Sequence, residues 1–339
     1  MPKRPDFEAA FAICAAIIGA GFASGREIVS FFSCFGKASF LGAAAASAGI
    51  AFLVYVILLL ARQTRASSFP ALYGALMGQP CQDAISVLHS LLCLITASAM
   101  LCAGAELGAL TFPLHHSYEL GFLLTLTVSI AAVCRGFPML ALMGALLVPL
   151  TAGYFSTMTL TGRYSSSFSL SALLPSIPMG LIYAAFNGAL AGGAICLSGQ
   201  KNAHPCKTAL LTGGLLFVLL SCANGAMLRA GNAVMHMTMP AVVLAAQWGA
   251  AGYYLSIAVL WLSVLSTLCA MLQTLSGALT DMNLPRPAAI LAGAAGASLI
   301  SVCGFRTLVD AVYPLLGWVC GFALVALMLF LPDHQKEIK

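Results

Sequence analysis

The amino-acid sequence predicts an all-α integral membrane protein with ten spanning helices, built as two inverted halves of five. Three observations carry that prediction. Hydrophobic residues make up 61% of the 339 and charged residues only 7%, with a mean hydropathy of +0.99. Soluble domains carry about 25% charged residues. A soluble enzyme, a nucleic-acid binder and a disordered chain are thereby excluded. Second, apolar runs near the roughly 20 residues that cross a bilayer as a helix recur along the chain. Third, glycine-rich interruptions head both halves of that pattern.

Lipid offers no partner to free backbone groups, so only helices or closed barrels span it. Barrel strands alternate in polarity, whereas Ser47–Ala61 and Leu210–Leu220 are apolar on nearly every face. Helices are therefore expected near residues 7–35, 38–62, 84–109, 118–134, 138–161, 174–199, 206–228, 250–280, 286–302 and 307–331. The stretch Pro240–Trp248 is too short to span and is expected as a surface helix in a loop. Alternating sides along the chain puts ten Lys and Arg on one side and four, Lys37, Arg163, Arg229 and Arg306, on the other. The richer side is cytoplasmic by the positive-inside rule, which places both termini inside a multi-pass cell-membrane protein. Lys3 and Arg4 before an apolar run mimic a cleavable leader, but Asp6 and Glu8 spoil its positive start. Most of the twelve cysteines lie within apolar runs, where they act as small hydrophobes.

A single transmembrane domain, residues 1–339, then divides into halves of about 7–161 and 174–331. Five spans per half reverse the orientation of the second half. Such an inverted repeat places a substrate site at the midplane, between discontinuous helices. Span one contains Gly19-Ala20-Gly21-Phe22-Ala23-Ser24-Gly25, and span six Tyr183-Ala184-Ala185-Phe186-Asn187-Gly188 followed by Gly192-Gly193. Gly21 and Asn187 lie at nearly the same depth in their halves. Glycine also serves close helix packing, and Gly213-Gly214 fits that use. A helix broken at mid-membrane frees amides and carbonyls that must find a partner. Amides from Gly21 to Gly25 suit an anionic group, and carbonyls from Ile17 to Ala20 suit a cation. Gly19 to Gly25 are thus candidate substrate contacts, with Tyr183, Phe186, Asn187 and Gly188 shaping the opposite wall.

The run Gly19-Ala20-Gly21-Phe22-Ala23-Ser24-Gly25-Arg26-Glu27-Ile28 resembles the opening motif of YkvI-like membrane proteins. Tyr313-Pro314-Leu315-Leu316-Gly317-Trp318 is similar to their C-terminal pattern. These proteins belong to the amino acid–polyamine–organocation superfamily, with the LeuT-type five-plus-five fold. The resemblance implies a secondary active transporter of an amino acid or related small metabolite, not an enzyme. It also implies a sodium site. Sodium-coupled members of this fold hold an ion between first-helix carbonyls and hydroxyl residues at i, i+3 and i+4 of helix eight. Here those positions are Ile17 and Ala20 with Ser263, Ser266 and Thr267. Some sodium-independent relatives place a Lys from helix five there, and span five has no Lys. The plain alternative is that these hydroxyls bond back to their own helix. No cofactor beyond a sodium ion is expected; the expected partners are a small-molecule substrate and membrane lipid, with no nucleic acid and with protein partners left open. A small-molecule receptor on the same fold, like the spore germinant receptors, is the rival.

Ionisable groups inside a membrane are costly and mark functional sites. Arg26, Glu27 and Glu106 are the gating or coupling candidates, with Glu106 expected to complement Arg26 across the path. Glu27 or Glu106 could instead carry a coupling proton. Arg306 and Asp310 are i, i+4 and expected as a local ion pair. Met235-His236-Met237 has soft-metal ligands but lies in a loop.

Overall fold

The computed structural model describes residues 5–135, 149–157, 170–200 and 204–330. Regular elements within these residues are all helical, as backbone held in lipid requires. The first span is three helices rather than one: α1 (Pro5–Ile17), α2 (Ala20–Ala23) and α3 (Arg26–Phe31). Beyond a 3₁₀ turn, Ser33–Ala38, come α4 (Ser39–Thr64), α5 (Phe69–Met77), α6 (Gln79–Thr111) and α7 (Ser117–Arg135). Residues 149–157 form α8; the rest of the expected span 138–161 lies outside the described residues. The second half contains α9 (Leu173–Leu190), α10 (Gly192–Gln200), α11 (Pro205–Ala230), α12 (Asn232–Met235) and α13 (Pro240–Ala245). It ends with α14 (Gly249–Asp281), α15 (Arg286–Ile300), α16 (Phe305–Thr307) and α17 (Tyr313–Met328).

Among the described residues, eight helical stretches are long and apolar enough to cross a membrane. The first span misses that length because it is broken, and the fifth because only part of it is described. Those two separate the eight from the expected ten.

Packing displays the repeat. Helix α4 lies against α9 and α11, and α1 lies against α11; α6 packs on α7, α14 and α15, and α14 on α7 and α15. Exchanging the halves turns each pairing into itself or another of the set. Contact of α4 with α9 becomes contact of α11 with α1, and α6 with α7 becomes α14 with α15. Two like-folded halves are therefore packed in inverted sense. Small residues let backbones touch where the halves cross: a Cβ on Gly42 of α4 would lie 2.7 Å from the Ser176 carbonyl oxygen of α9.

Two expectations are corrected. Helix α13 is not on the surface: Pro240, Ala241, Val242, Leu244 and Ala245 are buried. An all-apolar run has little to offer water, so it folds inward, where the Ala241 N–H donates to the Ser24 carbonyl at 2.9 Å. The interruption of the sixth span falls at Ala191, beyond Asn187 and Gly188, which remain inside α9.

Candidate functional site

The break in the first span follows from its glycines. Gly19 is extended (φ −96°, ψ −173°) and starts the single turn of α2. Gly25 ends it with φ 80° and ψ −4°, a left-handed conformation that side chains disfavour. The last amides of this turn are satisfied within the chain: Ala23 N–H donates to Gly19, Ser24 N–H to Ala20 and Gly25 N–H to Phe22. The first three, on Ala20, Gly21 and Phe22, precede any acceptor the turn itself can offer. This corrects the expected Gly21–Gly25 cradle. A helical turn leaves its first amides free, not its last. The Ile17 carbonyl accepts from Gly19 and the Ala20 carbonyl from Ser24, and each keeps a second lone pair.

Buried polar side chains crowd this break. Glu27 is 5% exposed, and its carboxylate folds back onto Gly21, where a Cβ on that glycine would collide with it. Its Oε2 has no hydrogen-bond partner. Tyr183 of α9 and Tyr313 of α17 lie within electrostatic reach of Glu27. The Tyr183 phenolic oxygen is buried without a partner, and the buried Tyr313 hydroxyl has Thr96 of α6 within hydrogen-bonding reach. Rings fix these groups in place. Tyr183 meets Phe31 and Phe32 edge-on at 5.2 and 5.0 Å, and Phe186 stacks on Tyr313 at 4.5 Å. Each orphaned hydroxyl costs about 1–3 kcal/mol and a lone buried charge several more. Such a cluster persists where something other than the protein satisfies it.

Asn187 is less available. Its side-chain amide donates to the Tyr183 carbonyl one turn back at 3.1 Å. Gly188 serves packing, since a Cβ there would lie 2.7 Å from Cδ1 of Leu53 on α4.

Arg26 closes one end of the site. Its Nε donates to Asp310 Oδ1 at 2.9 Å and its Nη2 to Oδ2, a two-pronged pair. Its Nη1 donates to the carbonyls of Met235 and Met237, at 2.8 and 3.2 Å. Those methionines thus act through backbone oxygen. Asp310 rides on a π turn, Leu308–Val312, just before α17, and also takes the expected bond from Arg306 Nε at 3.3 Å. The pairing of Glu106 with Arg26 is corrected: the recorded partners of Arg26 are Asp310 and the two carbonyls. Sequence reasoning missed Asp310 in this role because Arg306 already accounted for it locally. Tyr313 was noted only as part of a pattern, and Thr96 passed as an ordinary helix residue.

One of the expected ion-site residues, Thr267, meets the break. A Cβ on Gly19 would lie 3.3 Å from Thr267 Oγ1, so α14 faces the break. The Ser263 hydroxyl is buried without a partner, whereas Ser266 Oγ donates back to the Ser263 carbonyl at 3.0 Å.

Two like-folded, inverted halves with broken first and sixth spans define a multi-pass membrane protein of the LeuT-type fold. Solved structures bear this out. The chain is similar to MhsT in complex with L-phenylalanine, with a TM-score of 0.66 and 15% identity over 97% of this chain and 89% of that one. It is similar to the inward facing conformation of Mhp1, with a TM-score of 0.65 and 14% identity over 96% and 75%. No family model matches the chain. In sequence it is similar to the uncharacterized membrane protein YkvI of Bacillus subtilis (strain 168), 27% identical over 229 residues. That match covers 65% of each chain, just under two thirds of the relative's length.

Proposed function

We propose that this protein is a secondary active transporter, carrying an amino acid or related small metabolite across the cell membrane by alternating access. The observation that carries this reading is the first-span break, extended at Gly19 and left-handed at Gly25, beside the unpartnered buried oxygens of Glu27 and Tyr183. These groups are costly without a partner, and a polar solute supplies one. Gly19 to Gly25 form one wall; Tyr183 and Phe186, with Asn187 and Gly188 behind them, form the other. Arg26 and Asp310 act as a gate. Both termini are cytoplasmic. Transport, not catalysis, is the activity.

The proposed coupling ion is sodium, held by carbonyls of Ile17 and Ala20 with Ser263 and Thr267, and with Ser266 once its hydroxyl turns from its own helix. Neutral oxygens at this density suit a hard monovalent cation. The second reading is proton coupling, favoured by the buried carboxylate of Glu27. Uptake of radiolabelled L-amino acids into proteoliposomes decides between them. An inward sodium gradient is expected to drive accumulation at constant pH. Accumulation that follows an imposed proton gradient and ignores sodium overturns the ion assignment. Binding with no uptake under any gradient favours a receptor on this fold.

A further inference from the structure

We infer that Glu27 is the counter-charge for the ligand, and that the ligand therefore carries a protonated amino group. The inference rests on the transporter reading above and names the feature its substrates share. Among the described residues Glu27 has no cationic partner: its neighbour Arg26 is spent on Asp310 and two backbone carbonyls. The carboxylate lies against Gly21, inside the break rather than toward lipid. Around it stand the hydroxyls of Tyr183 and Tyr313, neither bonded to Glu27, with Thr96 within hydrogen-bonding reach of Tyr313. Glu27 Oε2 and the Tyr183 hydroxyl, from two different helices, are left without partners, so the group that joins them comes from elsewhere.

An ammonium fits that vacancy of partners better than any other common group. It offers three hydrogens, one for Glu27 Oε2 and the others for two of the hydroxyl oxygens. Its charge lets Glu27 ionise, because a buried carboxylate persists only with a paired charge. Electron-rich rings of Tyr183 and of the Phe186–Tyr313 stack add cation–π attraction. A carboxylate placed there would meet Glu27 as a like charge, and a neutral solute would leave Glu27 uncompensated.

The test compares three probes on each carbon skeleton, using the purified full-length protein in detergent with sodium chloride present. For L-phenylalanine these are the amino acid, 2-phenylethylamine, which lacks the carboxylate, and 3-phenylpropionate, which lacks the amine. The leucine and alanine series are run alongside. Binding measured by calorimetry is expected to require the amine, with each deaminated acid at least tenfold weaker than its parent. Glu27→Gln is expected to weaken the amine-bearing probes at least tenfold. If that variant does not fold, the probe series on the wild-type protein decides alone. Acids that bind as well as their parents overturn the Glu27 assignment and leave the transporter reading standing. So does stabilisation by sodium chloride alone that Glu27→Gln abolishes, because the ion is then the counter-charge. Failure of every probe in all three series overturns both readings.

Discussion

The first and sixth spans occupy equivalent places in the two halves, yet they are interrupted in different ways. The first leaves the helical path at Ile18 and Gly19 and again at Ser24 and Gly25, with Gly19 extended and Gly25 left-handed. The sixth turns at Ala191 alone, which stays right-handed at φ −80° and ψ −3°. Its hydrogen-bond thread continues across the turn: Ala191 N–H donates to Asn187 at 2.8 Å, and Ile195 N–H to Ala191 at 3.0 Å. The sharper departure from helical backbone is therefore in one half. The other half supplies aromatic walls through Tyr183 and Phe186. A repeat in topology is not a repeat in chemistry, because a single αR turn bends a helix without stripping it of bonds.

This contrast can be broken by experiment, and the largest effect belongs at Gly21. Gly21→Leu places a side chain where the Glu27 carboxylate sits, and ligand binding measured by thermal shift is expected to vanish. Retained binding would remove the first break from the site. Next comes the ion pocket. Thr267→Ala is expected to abolish sodium stimulation of uptake, while Ser266→Ala keeps most of it, since Ser266 already spends its hydroxyl on the Ser263 carbonyl. Equal losses would mean that Ser266 turns fully toward the ion. The smallest effect is expected at Asn187→Ala, which removes one hydrogen bond to the same helix. About 1 kcal/mol of stability should go, visible as a lowered melting temperature, with ligand affinity changed less than threefold. A loss matching that at Gly21 would make the two breaks chemically alike after all.

What could be read from the sequence divides along the same line. Gly19, Gly21 and Gly25 announced the first break, because three glycines in seven residues weaken a helix wherever they occur. The Arg306–Asp310 pair was legible because i, i+4 geometry is local. The pair of Asp310 with Arg26 was not, since 284 residues separate them and only the packing of α3 on the π turn brings them together. The inward course of α13 was hidden for a related reason. Its residues say that it is apolar, but not whether lipid or protein covers it. The buried hydroxyls of Thr96 and Tyr313 were equally silent, because a lone hydroxyl becomes informative only through what its surroundings offer it to bond.

One guanidinium ties together segments that lie far apart in the chain. Arg26 grips the last span through Asp310 and the loop before α13 through Met235 and Met237, all from the first residue of α3. Tilting α3 away from either neighbour strains its hold on the other, so loop and last span are released together rather than by degrees. If Arg26 is the gate proposed above, opening at this end would be a switch, not a hinge that drifts.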